Sequence, residues 1–224
     1  MQQVLEDFNR IALLTAHERE APEAYSNYLL RQVPADCERV LEIGCGFGAF
    51  ARQIARRTTR RVTAVDISPQ MINVARERSA GYSNLEFVLT DFLQAPLPAE
   101  SYDCVVTLAT LHHLPLDESV RRMKALVRPG GVLILHDLLA AGSHLDRALD
   151  VVRLPVSMAV RLRLSGRLRA RREVRRAWIE HGKHESYLTP QEVNALCDEQ
   201  LPGARVRRHF LWRYTIVWRK PLPG

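Results

Sequence analysis

At 224 residues and a net charge of +7, the chain is long enough for one well-buried domain, and no Pro/Gly/Ser-rich linker or internal repeat divides it. No apolar run approaches the length of a membrane span, and an N-terminal stretch carrying Glu6, Asp7, Glu18, Glu20 and Glu23 is unlike a signal peptide, so a soluble, cytoplasmic protein is expected. The four cysteines, Cys37, Cys45, Cys104 and Cys197, lie far apart with no C-x-x-C spacing and are expected as reduced thiols.

Residues 1–37 read as an N-terminal helical cap, in which Phe8, Tyr25 and Tyr28 either form a lid or cover a sheet. Residues 38–138 then carry five short runs rich in Val, Ile and Leu: Val40 to Ile43, Val62 to Val65, Leu85 to Leu89, Cys104 to Leu108 and Val132 to Leu135. They are too short for helices and have the pattern of buried parallel strands. Helical stretches alternate with them. One runs from Ala49 to Arg57; another opens at Ser68-Pro69, an N-cap with Pro in the first helical position, ahead of Met71, Ile72, Val74 and Ala75. A third begins near Leu116 and is stopped by the turn Arg128-Pro129-Gly130-Gly131, which launches the fifth strand. Residues 139–188 are a basic helical insertion. Residues 189–224 begin with the capping box Thr189-Pro190-Gln191-Glu192, which opens a helix to about Leu201, and Ala204 to Arg219 then reads as a hairpin. The expected fold is a single α/β domain: a Rossmann-like, doubly wound, seven-stranded sheet, mostly parallel with a C-terminal antiparallel hairpin and helices on both faces.

The first strand runs into Glu42-Ile43-Gly44-Cys45-Gly46-Phe47-Gly48, and glycines here let the backbone turn sharply and approach a ligand. Two cofactors fit such a loop. Gly44-x-Gly46-x-x-Ala49, with Asp66 ending the second strand, satisfies the dinucleotide fingerprint. That reading has no use for a carboxylate two residues before the first glycine, where it would repel a pyrophosphate. Glu42 argues instead for a cofactor carrying positive charge.

With Ala64-Val65-Asp66-Ile67-Ser68-Pro69-Gln70-Met71, Thr90-Asp91-Phe92, Tyr102-Asp103-Cys104-Val105-Val106, His112-His113-Leu114 and Arg128-Pro129-Gly130-Gly131, the loop makes the chain resemble a class I S-adenosylmethionine-dependent methyltransferase. The likeness covers about Val40 to His136 and is to the small-molecule group that includes ubiquinone and menaquinone biosynthesis methyltransferases. It implies that Glu42 and the backbone of Gly44 and Gly46 hold the methionine end of S-adenosyl-L-methionine. It implies further that Asp66 accepts from both ribose hydroxyls, that Ile67 and Met71 pack on the adenine, that Asp91 accepts from its amino group, and that the Phe92 amide donates to the ring. Cys45, Gly48 and Leu108 complete the implied cofactor set. Asp66 has the alternative role of a helix cap, and Asp91 that of a turn residue.

Methyl transfer from a sulfonium is an in-line displacement for which positioning can supply about 7 to 11 kcal/mol. A base adds about 10²- to 10⁴-fold where the acceptor must lose a proton. His112 and His113, after the fourth strand, are the candidates, against the reading that this His-His-Leu segment is common to the group whatever the substrate. His136 and Asp137 come second, with a hydrogen-bonded structural pair preferred. Candidate substrate contacts are Tyr25, Tyr28, His136, Trp178, His181 and His184; Trp178, His181, His184 and Tyr187 recur at three-residue intervals and on one helix would share a face. No cysteine or acid stands at a recognisable ligand spacing beside His181-x-x-His184, so no metal is expected.

Between Arg153 and Arg176 lie nine arginines and one acid, Glu173, giving +8 and leaving the rest of the chain near −1. Val152, Val156, Val160 and Leu164 recur every four residues among arginines 153, 161, 163 and 167. Three readings are open: an apolar stripe over the substrate pocket with solvated or paired arginines, which is preferred; contact of 153–176 with an anionic membrane surface; and nucleic-acid binding. The last is disfavoured because no aromatic for base stacking occurs before Trp178. The expected function is methylation of an O, N or C atom of a small molecule in specialised or quinone metabolism, with S-adenosyl-L-homocysteine as product. The alternatives are a non-catalytic S-adenosylmethionine-binding sensor or partner protein and, more distantly, an NAD-dependent dehydrogenase.

Overall fold

In the computed structural model the described residues are 2–18, 23–57, 61–166 and 169–223, the side chains of Leu145 and His184 excepted. In chain order the elements are α1 (Gln2–Thr15), α2 (Ser26–Leu30), β1 (Arg39–Ile43), α3 (Ala49–Arg57), β2 (Arg61–Asp66), α4 (Pro69–Glu77), β3 (Leu85–Leu89), β4 (Tyr102–Leu108), α5 (Leu116–Leu126), β5 (Val127–Leu138), α6 (His144–Ala148), α7 (Asp150–Ser165), α8 (Arg172–His181), α9 (Pro190–Gln200), β6 (Arg205–His209) and β7 (Arg213–Arg219). The sheet has seven strands in the order β3-β2-β1-β4-β5-β7-β6. β1 to β5 pair in parallel, and β7 lies antiparallel between β5 and β6. This is the mixed sheet expected from the sequence.

The apolar runs work as strands because both faces are covered. Val105, Leu133 and Leu135 join a cluster with Met123, Leu196 and Trp218 on one face. Val40, Val62 and Ile134 join Ile54, Ile72 and Leu29 on the other. Two helix starts form as their sequences direct. Ser68 Oγ accepts from the Met71 amide at 3.1 Å, and Thr189 with Glu192 makes a reciprocal capping box. Ser68 is wholly buried and also donates to Asn9 Oδ1 of α1 at 2.6 Å, so Ser68→Ala is expected to cost about 1–2 kcal/mol in a urea melt. An unchanged midpoint would show that the cap contributes nothing.

Two sequence expectations are corrected here. Arg128-Pro129-Gly130-Gly131 does not precede β5 but bulges within it, since the register passes from Tyr102–Val127 to Cys104–Val132. Gly130 takes a φ of +76°, and Arg128 pairs with Asp103, whose other oxygen accepts from the Glu38 and Arg39 amides. The apolar stripe of the insertion is also split. Val160 and Leu164 face the cleft, whereas Val152 is 53% exposed and Val156 37%, because the first half of α7 runs beyond the core. Val151, Leu154, Met158 and Leu162 are exposed as well. Several arginines of the segment pair with acids: Arg153 with Asp146 and Asp150, Arg171 with Glu18, and Arg176 with Glu180. Arg167 lies outside the described residues. Among the described residues no helix is long and apolar enough to cross a membrane.

Candidate active site

The loop after β1 is held against β2, because the amides of Gly44 and Cys45 both donate to the Val65 carbonyl at 2.9 and 3.0 Å. Gly44, Gly46 and Gly48 all take positive φ, at +70°, +51° and +76°. A Cβ on Gly44 would meet the Thr110 side chain at 2.1 Å, and one on Gly48 would meet Phe87 at 2.5 Å. One on Gly46 would meet nothing within 4 Å. The first and third glycines thus let the backbone close on its neighbours, while the second leaves space.

That space is part of two adjoining cavities at the carboxyl ends of β1, β2 and β4, where open α/β sheets bind ligands. The larger, about 1030 Å³, has Glu42, Gly44, Cys45, Gly46, Met71 and Leu108 in its inner wall. The smaller, about 110 Å³, is bounded by Asp66, Ile67, Met71, Asp91 and Phe92, with Gly44 and Gly46 shared between the two. Ten of the eleven residues implied as cofactor contacts line one or the other of these two cavities; Gly48 lines neither, and a Cβ there would run into Phe87.

Asp66 Oδ2 accepts from the Gly46 amide at 2.8 Å and Oδ1 from the Ser68 amide at 2.9 Å. Each oxygen keeps a further lone pair. Burial raises the Asp66 pKa, opposed by these amides. Asp91 caps its own turn, accepting from the Leu93 amide at 2.9 Å and from Gln94 Nε2 at 3.0 Å. The turn role is thus real at Asp91, whereas Asp66 does not cap α4, whose N-cap is Ser68; both acids line the smaller cavity. Cys45 is no nucleophile: burial, then the nearby Glu42 and Asp66, push its thiol pKa well up.

The histidines are arranged in a way their spacing did not reveal. His112 lines neither cavity. Its Nδ1 lies 2.6 Å from Asp137 Oδ1 and its Nε2 2.6 Å from Glu185 Oε2, so both ring nitrogens face carboxylates. His113 borders the smaller cavity, and burial followed by the neighbouring His112 and His181 lowers its pKa to about 3. His136 is buried, its Nδ1 2.9 Å from Thr215 Oγ1, and it lies outside the cavity walls.

Of the proposed substrate contacts, Tyr25 and Trp178 line the larger cavity. Tyr28 does not; it packs on His209 and under Arg207. His181 turns inward toward Glu185 and Asp7, and α8 ends there, so Tyr187 is not on a shared helix face but packs on His112. The His184 side chain lies outside the described residues. Phe8 enters both cavity walls and meets His113 and His181 edge-on. Glu23, Trp212 and Arg213 also line the larger cavity, and Thr110 the smaller; no motif marked them.

His209 illustrates the cost of burying imidazoles behind this wall. Its Nε2 lies 2.7 Å from Thr215 Oγ1, its ring stacks 4.2 Å from Tyr25, and burial, then His136 and Arg207, lower its pKa to about 4 against an opposing effect of Glu23. The unfolded chain therefore takes up a proton near pH 6.5 that the folded chain resists to about 4, so this contribution is complete above pH 6.5 and is lost as pH falls toward 4. His209→Gln is expected to show a shallower loss of Tm between pH 7 and 4.5 than the parent chain; parallel profiles would remove His209 as the cause.

A parallel sheet closed by an antiparallel seventh strand, with an acid-glycine loop at β1 and acids ending β2 and following β3, is a Rossmann-like architecture. Comparison with known proteins makes this specific. A methyltransferase domain profile matches residues 40–131. An uncharacterized methyltransferase of Mycobacterium tuberculosis is 31% identical over 202 residues, covering 88% of this chain and 95% of that protein. The malonyl-[acyl-carrier protein] O-methyltransferase of Serratia marcescens is 40% identical over 107 residues, 47% of this chain and 40% of its own length. Among solved structures, the N-methyltransferase NodS from Bradyrhizobium japonicum in complex with S-adenosyl-L-homocysteine shares the fold, with a TM-score of 0.63 at 19% identity over 97% of this chain and 98% of that one. The chain belongs to the class I S-adenosylmethionine-dependent methyltransferase family.

Proposed function

We propose that the chain transfers the methyl group of S-adenosyl-L-methionine to an O, N or C atom of a small-molecule acceptor. The observation carrying this reading is the buried Glu42 carboxylate in the wall of the larger cavity, at the base of a glycine loop whose open side continues to Asp66 and Asp91. A carboxylate there suits an ammonium and a sulfonium and opposes a pyrophosphate. In this reading Glu42 and the loop hold the methionine end, Asp66 uses its remaining lone pairs for the ribose hydroxyls, Ile67 and Met71 flank the adenine, and Asp91 with the Phe92 amide reads its edge. The acceptor enters the outer part of the larger cavity, among Tyr25, Trp178, Trp212, Glu23 and Arg213. Aromatic faces beside one acid and one base favour an amphipathic acceptor.

Transfer is driven by alignment of the acceptor with the methyl carbon, worth about 7 to 11 kcal/mol. Neither histidine after β4 is a base in this mechanism: His112 is held between two carboxylates, and His113, with a pKa of about 3, is too weak a proton acceptor. His113→Ala is accordingly expected to keep saturated turnover within about tenfold of the parent. A loss of about 10²-fold or more at unchanged cofactor affinity would make it the base. The acceptor itself is to be found by incubating the protein with S-adenosylmethionine and cell extract and seeking products one methyl heavier. Their absence, together with unaltered S-adenosylmethionine, would contradict the enzymatic reading.

A further inference from the structure

Behind the cofactor cavity, three histidines turn a ring nitrogen toward one carboxylate. His112 Nε2 stands 2.6 Å from Glu185 Oε2, His113 Nδ1 2.9 Å from Glu185 Oε1, and His181 Nε2 3.2 Å from the same Oε1. The donor atoms of His112, His113 and Glu185 all lie within 4.8 Å of one another. The four side chains are between 5% and 8% exposed. Although the atoms are close, His113 Nδ1, His181 Nε2 and Glu185 Oε2 make no aligned hydrogen bond. Buried polar atoms are rarely left so, and convergence without hydrogen-bond alignment is what a shared central cation produces.

The outward sides of two rings are organised to match. His112 Nδ1 meets Asp137 at 2.6 Å and His181 Nδ1 meets Asp7 at 3.0 Å. A carboxylate on the far nitrogen fixes the tautomer that leaves the inner nitrogen as a lone-pair donor. Ligands on a tetrahedral zinc with bonds of about 2.0–2.1 Å stand about 3.3 Å apart, and His112 Nε2 and His113 Nδ1 stand 2.6 and 2.9 Å from the Glu185 oxygens. From this geometry we infer that His112, His113 and Glu185 form a binding site for a single divalent transition-metal ion, with His181 beside it on Glu185, zinc being the best match to a set of two imidazoles and one carboxylate. Two neutral imidazoles and one carboxylate leave such a complex with one positive charge, which Asp137 on the far side of His112 offsets.

The site joins the turn after β4 to the segment between α8 and α9, with His181 at the end of α8 beside it. The ion would therefore be structural, fastening that segment to the turn that borders the smaller cavity, and its binding does not depend on which methyl acceptor is used. The test uses the full chain, stripped with a chelator, equilibrated with zinc and desalted, with metal counted by mass spectrometry. One zinc per chain is expected, with a Tm that rises with free zinc and increased hydrogen-exchange protection in segments 111–114 and 181–187. His113→Ala and Glu185→Ala should lose the zinc and its effect on Tm while melting like the chelated parent. A parent chain that retains no zinc and whose Tm ignores it would overturn the proposal and leave a proton-linked hydrogen-bond cluster. Retention of one zinc by both variants, or zinc-dependent protection confined to other segments, would overturn it equally. Binding of S-adenosylhomocysteine, measured in parallel, reports separately on the methyl-donor site.

Discussion

Replacing Asp66 by Ala is expected to weaken S-adenosylhomocysteine binding on the order of 10²- to 10³-fold in calorimetric titration while lowering stability only modestly. A hydrogen bond to a charged group is worth about 1.5–3 kcal/mol, and two ribose hydroxyls sharing one carboxylate would lose both. The same oxygens accept from the Gly46 and Ser68 amides, so the substitution also loosens the glycine loop after β1. The stability cost stays small, about 1–2 kcal/mol, because both amides adjoin a cavity where water can replace the carboxylate. Asp66→Asn keeps one acceptor and should fall between. Unchanged affinity in Asp66→Ala would take the residue out of the cofactor site.

Gly44→Ala should have the second large effect, and of a different kind. An alanine at a φ of +70° costs about 1–2 kcal/mol in backbone strain, and its Cβ would lie 2.1 Å from Thr110 Oγ1 and 2.8 Å from Thr110 Cβ. The second contact cannot be relieved by rotating a side-chain tip. The loop and the turn after β4 must separate, so destabilisation of about 3 kcal/mol or more is expected, with loss of cofactor binding. Gly46→Ala is the informative comparison. Its Cβ meets nothing within 4 Å, so only the backbone strain remains, yet the residue lines both cavities and binding should still fail. A Gly44→Ala protein with parent-like Tm would show that the contact with Thr110 is not tight.

The parts of this arrangement legible in the sequence are those set by local chemistry. Short Val/Ile/Leu runs mark strands because their neighbours cover both faces, Ser68 and Thr189 mark helix starts because their hydroxyls cap amides, and Glu42 marks charge because it is a buried carboxylate two residues before the first glycine of the loop. What sequence spacing hides is determined by where distant segments meet. Glu185 has no motif and matters only because α8 returns His181 to the turn carrying His112 and His113. The two adjacent histidines looked alike in sequence, but the bend after β4 sends one between Asp137 and Glu185 and the other to the cavity wall. The i+4 pattern in α7 is a true helical stripe; how far the core extends beneath it, which splits Val152 and Val156 from Val160 and Leu164, is a tertiary fact.

In the proposed reading Glu42 and its glycine loop serve a sulfonium cofactor. Equilibrium titration of the protein with S-adenosylhomocysteine and, separately, with NAD tests it most directly. Saturable one-to-one binding of S-adenosylhomocysteine, weakened in Glu42→Gln, with no binding of NAD is the expected result; binding of NAD without binding of S-adenosylhomocysteine would contradict it.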